Sequence, residues 1–209
     1  MVTTIIPTYN RAELLMTRSL PSALAQGDVE VIVVGDGTDD ETVAAMESLA
    51  DPRVRFWNLP RPTYPDDPRQ RWRIAGLEAI NFGLDQATHE WVSILPDDDE
   101  YLPNHHADLL AGSRRVDVVY GVTLIMPRGQ ITGDRWPPDP YNIVQGSYLI
   151  RRDKTPRIRP EHCTGGAWDG YWWRTIIADG ARFARRTTLV HRFWENEANL
   201  RYHDDYWQQ

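Results

Sequence analysis

Four carboxylates stand side by side in "WVSILPDDDEYLP", which runs from Trp91 to Pro103: Asp97, Asp98, Asp99 and Glu100. Like charges this close repel one another, and a divalent cation would relieve the strain. Hard oxygen donors suit Mn2+ or Mg2+. Such ions keep several waters and bind through one or two carboxylates together with substrate phosphates. Alternate side chains of an extended segment share a face, so Asp97 and Asp99 can act on one ligand. An acidic run is more often a solvated turn. This one directly follows a buried-type strand, where side chains converge on a ligand crevice.

A second aspartate sits in "VVGDGTDD" (Val33–Asp40). Glycines on both sides of Asp36 permit a tight strand-to-helix turn. Asp36 then either shapes that turn or faces a hydroxyl or amide group of a ligand, such as a ribose or a base. Arg69, Arg71 and Arg73 follow a proline-rich loop, "RPTYPDDPRQRWR". They form either a solvated basic patch or a clamp for a base or diphosphate. Six of the nine tryptophans lie at or beyond Trp136. Indole faces pack well on sugar C–H groups, so Trp136, Trp168, Trp172, Trp173, Trp194 and Trp207 are candidates for an acceptor platform, with about half of them expected in the core.

The elements that must position these residues alternate. "VTTIIP" (Val2–Pro7), "VEVIVV" (Val29–Val34), "VRFWNL" (Val54–Leu59) and "WVSIL" (Trp91–Leu95) read as strands. Helices are expected over Arg11–Gln26, with Pro21 as a kink, over Asp39–Leu49 behind a Thr38/Glu41 capping box, and over Arg73–Ala87. Repeated strand–helix–strand units predict a parallel α/β sheet, whose ligands sit at the carboxyl ends of the strands. Both aspartate clusters lie there. Farther on, strands are expected over Val116–Ile125, Ile143–Arg152 and Thr188–Phe193, a helix over Trp168–Gly180, and a short helix in the tail.

Composition sets the bounds. The chain has 209 residues, 41% hydrophobic and 25% charged, with a formal charge of −7. That is an ordinary globular domain without the basic surface of a nucleic-acid binder. No apolar run reaches the length of a membrane span. The start, "MVTTIIPTYN", lacks a secretory layout. A single cysteine, Cys163, suits a reducing, cytoplasmic setting.

Taken in order, "TTIIPTYNR", "VEVIVVGDGTDDET" and "GLEAINFGLDQATHEWVSILPDDDEYLP" resemble the nucleotide-sugar-binding half of family-2 glycosyltransferases with the GT-A fold. The resemblance covers Val2 to Pro103 well and thins beyond. It implies a Rossmann-like nucleotide-diphospho-sugar transferase fold, a central, mostly parallel sheet flanked by helices. Residues 1–103 would be the nucleotide-sugar-binding lobe and 104–209 the acceptor-binding, catalytic lobe of one continuous domain. Pro7, Thr8 and Tyr9 would line the nucleotide pocket, Asp36 would contact base or ribose, and Asp97 would lie near ribose and metal. Asp99 would be the main ligand of Mn2+ or Mg2+, with Asp98 able to substitute. In the second half, "GGAWDGYWWR" is similar to the segment carrying the family's catalytic base, which makes Asp169 the base. His191 in "LVHRF" matches a histidine that completes the metal site in some members; His105, His106 and His203 have no such support. Gly35, Ile80, Pro96 and Trp168 depart from the family's usual residues.

The chemistry then implied is metal-dependent, inverting transfer of a sugar from a nucleoside-diphosphate donor, UDP-sugar favoured, to a hydroxyl of a carbohydrate or other acceptor. The cation neutralises the leaving diphosphate, a carboxylate takes the acceptor proton, and Trp136, Trp168 and Trp172 hold the acceptor. Two other readings stand beside it. A catalytically inactive glycan- or nucleotide-binding relative would explain Gly35 and Trp168. A sugar nucleotidyltransferase would need a glycine-rich, basic loop after the first strand, and "IIPTYNRAELL" has none.

Overall fold

The computed structural model describes residues 1–197, 200 and 201. Trp207, His203 and most of the expected tail helix lie outside them. Among the described residues the strands are β1 (Val2–Thr8), β2 (Val29–Asp36), β3 (Val54–Leu59), β4 (Trp91–Ile94), β5 (Glu100–Tyr101), β6 (Val118–Met126), β7 (Gln130–Thr132), β8 (Tyr148–Arg151) and β9 (Phe183–Trp194). They form one sheet in the order β3-β2-β1-β4-β8-β6-β9-β5, with β7 paired to β6. The pairs among β1 to β4 are parallel, as is β6 with β9; β4 with β8, β6 with β8 and β5 with β9 are antiparallel. The expected mixed α/β sheet with parallel N-terminal strands is the observed architecture, and strands from both halves of the chain share it.

The near-continuous apolar run of β2 is explained by helices on both faces. Val31 and Val33 pack with Leu15 and Leu20, and with Met46 of α3 (Asp40–Glu47). Leu15 opens a π-type turn, Leu15–Ser19, between α1 (Ala12–Leu14) and α2 (Leu20–Leu24). Ile32 and Val34 point the other way, toward Leu77, Ile80 and Leu84 of α5 (Leu77–Gln86) and Trp172 and Trp173 of α7 (Trp168–Ala178). Pro21, which lacks the N–H of a helical hydrogen bond, follows the π-type turn, and the helical path continues through it.

Four expectations about local structure are corrected. The helix over Arg73–Ala87 is two: α4 (Pro68–Ile74) and α5, separated at Gly76, whose φ of 73° is left-handed. Its start signal was present in Asp67-Pro68, where the Asp67 carboxylate accepts the Arg69 N–H at 2.8 Å. The cap of α3 is Asp39, which accepts from Thr42 N–H at 3.0 Å, not Thr38. The expected strand over Ile143–Arg152 shortens to β8, since Ser147 N–H turns back to the Val144 carbonyl. Finally, β9 begins at Phe183, five residues before the apolar run that announced it. A helix, α6 (His105–Ala111), follows the acidic turn.

Trp172 corrects the acceptor platform. It is 1% exposed, donates from its indole to the Pro156 carbonyl at 3.1 Å and meets Trp173 edge-on at 5.0 Å between ring centroids. It is core and has no face for a ligand. Trp172→Ala is expected to cost about 3–5 kcal/mol of stability, read as a lowered denaturation midpoint; a variant as stable as the parent would return Trp172 to the surface.

Candidate active site

The strand order reverses at β1, which is flanked by β2 on one side and β4 on the other. In open sheets such a switch point leaves a crevice at the carboxyl ends. Thr8 ends β1, Asp36 ends β2, and Asp97–Asp99 follow β4. Asn10 ties two of these ends together: its backbone N–H donates to Thr38 Oγ1 at 2.8 Å, and its side-chain oxygen accepts the Asp39 N–H at 2.8 Å.

Asp97 and Asp98 converge on a single positive nitrogen. Arg11 Nη1 donates to Asp97 Oδ1 at 3.0 Å and to Asp98 Oδ2 at 2.6 Å. Asp97 Oδ2 also accepts the Thr8 hydroxyl at 2.9 Å, and Asp98 Oδ2 accepts the Asn196 amide at 2.9 Å. Burial pushes the Asp97 carboxyl up to about 6, against the pull of Arg11 and with the charge of Asp98 adding to it. Sequence reading missed Arg11; its signal was a cationic residue three positions beyond the end of β1.

Asp99 and His191, the expected metal ligands, lie deeper. Both are 0% exposed. Asp99 Oδ1 accepts the Trp194 N–H at 2.8 Å, and Oδ2 lies 3.5 Å from His191 Nε2. Burial holds the Asp99 carboxyl well above its usual range and lowers His191 to about 3. The two facing atoms, Asp99 Oδ2 and His191 Nε2, are both buried without a hydrogen-bond partner. Asp97 and Asp98, 6% and 9% exposed, present two hard carboxylates of the kind a divalent cation takes, and both already meet positive charge at Arg11. Among the described residues no group of three or more His, Cys, Asp or Glu side chains is arranged to hold a metal ion by itself.

His105 and His106 belong to the same buried layer. The His105 ring stacks on Tyr101 at 3.8 Å, and His106 Nε2 lies 3.3 Å from Thr4 Oγ1. Burial lowers His106 to about 3. Its folded value thus lies below the ordinary histidine range, and the unfolded chain binds the extra proton between about pH 3 and pH 6.5. Its stabilising contribution is whole above pH 6.5 and is lost as pH falls. His106→Gln should flatten the acid-side fall in stability by about one proton, ~1.4 kcal/mol per pH unit. Thermal melts between pH 7 and 4 check this; an unchanged slope would remove His106 from the account.

The second anchor is Asp36, 3% exposed. Its Oδ2 accepts from Arg61 Nη1 at 3.0 Å and from the Tyr64 hydroxyl, while Oδ1 is buried without a hydrogen-bond partner. The Arg61 guanidinium lies 3.5 Å from the Tyr9 ring centre and 4.5 Å from that of Tyr64. Tyr9 links the two anchors, since its N–H faces Asp97 Oδ2 at 3.4 Å. Gly35 stands where the resembling family has aspartate because a Cβ there would meet Asn58 Oδ1 at 2.6 Å. Arg61 and Tyr64, both in the loop after β3, were not singled out from sequence.

The remaining residues flank this crevice. Pro7 is half-buried, and its side chain lies against Gly76, whose Cβ would sit 3.6 Å away. Arg73 Nη1 donates to the Thr164 carbonyl at 2.9 Å, tying α4 to the loop before α7. Burial and then the charge of Asp169 raise the Cys163 thiol to about 11, with Arg73 opposing, so both charges act on that loop. Asp169 is half-buried in the first turn of α7, and its Oδ1 accepts the Gly170 N–H at 2.9 Å. Trp168 is 8% exposed and packs in the core cluster with Trp172, which corrects it from open platform to wall. Trp136 is 58% exposed.

Residues 3–168 match the profile of the family described as "Glycosyl transferase family 2". The succinoglycan biosynthesis protein ExoO of Rhizobium meliloti is 35% identical over 105 residues, covering 49% of this chain and 27% of that protein. The GalNAc(5)-diNAcBac-PP-undecaprenol beta-1,3-glucosyltransferase of Campylobacter jejuni is 29% identical over 133 residues, covering 61% and 40%. The chain thus spans well under half the length of these two relatives. S. aureus TarS in complex with UDP-GlcNAc superposes with a TM-score of 0.71 at 19% identity, over 94% of this chain and 59% of TarS. The mannosyltransferase PcManGT from Pyrobaculum calidifontis, with GDP-Man and Mn2+, gives 0.64 at 20% identity, over 92% and 56%. At these identities the structures establish the shared GT-A fold.

Proposed function

The chain belongs to glycosyl transferase family 2, and on that premise we propose that it moves a sugar from a nucleoside-diphosphate donor to an acceptor hydroxyl, with inversion and with a divalent cation, UDP-sugar being the favoured donor. The observation that carries the reading is the convergence of Asp97 and Asp98 on one cationic nitrogen, beside a buried Asp36 with an unpartnered oxygen, at the switch point of the sheet. Asp98 and Asp97 would hold Mn2+ or Mg2+, which when bound neutralises charge on the departing diphosphate. Thr8 and the Tyr9 N–H fix the Asp97 carboxylate. Asp36 Oδ1 takes a donor from the base. Asp169 takes the acceptor proton, and the Arg73–Thr164 bond steadies the loop before its helix. Trp136, 58% exposed, is open to meet an acceptor.

The supports for a donor of this class are the UDP-GlcNAc and GDP-Man held by the superposable structures. The acceptor is any hydroxyl that a tryptophan-bearing rim admits. No helix among the described residues is long and apolar enough to cross a membrane. Calorimetry with UDP and GDP, each with and without Mn2+, followed by a hydrolysis screen of nucleotide sugars, tests the proposal. Cation-supported binding of one diphosphate and slow hydrolysis of a matching donor are expected. Binding without hydrolysis of any donor would favour the inactive, glycan- or nucleotide-binding alternative.

A further inference from the structure

The geometry points to Arg61 as a plug that fills the nucleobase slot of the free protein and must swing out when a donor binds. This rests on the nucleotide-sugar reading above and deepens it. A guanidinium is planar, stacks on aromatic rings and donates N–H bonds in its own plane. A keto nucleobase such as uracil or guanine has the same three properties. Arg61 occupies the position such a base would take. One face lies 3.5 Å from the centre of the exposed Tyr9 ring, and Tyr64 is 4.5 Å away. In the plane, Nη1 donates to the Asp36 carbonyl at 2.7 Å and to Asp36 Oδ2 at 3.0 Å.

The slot is built, not incidental. Asp36 is 3% exposed, and its Oδ1 is buried without a partner, an acceptor on the same carboxylate that Arg61 grips through Oδ2 and leaves unsatisfied. Tyr64 is fixed from behind, since its hydroxyl accepts the Gly76 N–H at 3.2 Å. Gly37, at φ 68°, lets the Arg61 backbone approach; a Cβ there would meet Arg61 Cα at 2.6 Å. The plug itself is loosely held on its outer side, with 36% of its side chain exposed. The loop that carries it is backed by a cavity of about 270 Å3, lined by Pro62, Thr63, Tyr64, Ile74, Leu77 and Pro160, so the ring pair has room to part. A base would take Asp36 Oδ1 through its ring N–H and keep the Tyr9 stack.

A site plugged most of the time binds more weakly by the fraction of time it is open. Removing the plug therefore tightens base-dependent binding. Arg61→Ala tests this, and Arg61→Lys keeps a counter-charge for Asp36 without the planar stack, so that a fold defect of the alanine variant leaves the test intact. Calorimetry and stopped-flow mixing are run with three probes in the presence of Mn2+: UDP, GDP and inorganic pyrophosphate. For whichever diphosphate the parent binds better, both variants are expected to bind about 10-fold tighter or more, through faster association, while pyrophosphate affinity stays within about two-fold. Equal or weaker nucleotide binding in both variants would overturn the plug and make Arg61 a fixed wall of the site. A parent that binds pyrophosphate as tightly as either nucleotide has no base slot, and the inference falls while the metal–phosphate half of the proposal stands. A parent that binds none of the three removes the nucleotide-sugar reading itself.

Discussion

Asp98→Asn is expected to lower cation-supported nucleotide binding by about 100-fold or more, the scale of losing a cation worth several kcal/mol to a phosphoryl ligand, while the fold stays intact. Asparagine keeps the shape and can still accept the Asn196 amide, which donates to Asp98 Oδ2 at 2.9 Å. It also removes a like charge that helps push the Asp99 carboxyl upward, so the metal-free variant should melt no lower than its parent. The informative partner is Asp99→Asn. Asp99 is sealed, with Oδ1 on the Trp194 N–H and Oδ2 facing His191 Nε2 at 3.5 Å. An asparagine amide placed there can still accept from Trp194 and donate to the imidazole. Metal titration followed by Mn2+ electron paramagnetic resonance should show weak binding in the first variant and near-parent binding in the second. The reverse result would place the metal at Asp99 and His191, as the family resemblance implies.

Asp169→Asn is the second large effect. The variant should lower turnover of the donor by ~10²–10⁴-fold, the range for losing a general base. Donor affinity should hardly change, because base removal acts on the transition state and not on ground-state binding. One contact to be preserved is Asp169 Oδ1 with the Gly170 N–H at 2.9 Å, and an asparagine oxygen accepts that bond equally well. The N-cap of α7 is Ala167 and makes no side-chain cap, so Asp169 lies inside the first turn, where a carboxylate is favoured by the helix dipole. If the residue serves only that turn, Asn should be silent in kcat and lower the melting point slightly. A variant with parent turnover would move the base to another carboxylate, of which Glu161, 65% exposed at the side chain, is next upstream.

The chain's own pattern determined most of the first half. β-branched runs at Val2–Thr8 and Val29–Asp36 and the helical spacing of Leu77, Ile80 and Leu84 encode a parallel α/β sheet, because burial on both faces leaves a strand no polar positions. Placing Asp36 and Asp97–Asp99 at carboxyl ends also needed only the order of the elements. What the sequence could not carry was the division of labour among three adjacent aspartates. Alternation assigns Asp97 and Asp99 to one face, but the turn after β4 is not an extended strand, and the end of β9 folds over it. Asp99 is sealed by a residue 95 positions away, Trp194, and Asp97 and Asp98 are left to share Arg11. Aromatic character misled for a similar reason: tryptophan suits a sugar face and a core equally well, and only packing against Tyr148 and Trp173 decided that Trp172 is core. Arg61 is the extreme case. In "LPRPTYP" nothing separates it from any loop arginine; its meaning comes entirely from the return of the chain across Tyr9 and Asp36, contacts 52 and 25 positions distant in the sequence that local propensity cannot encode.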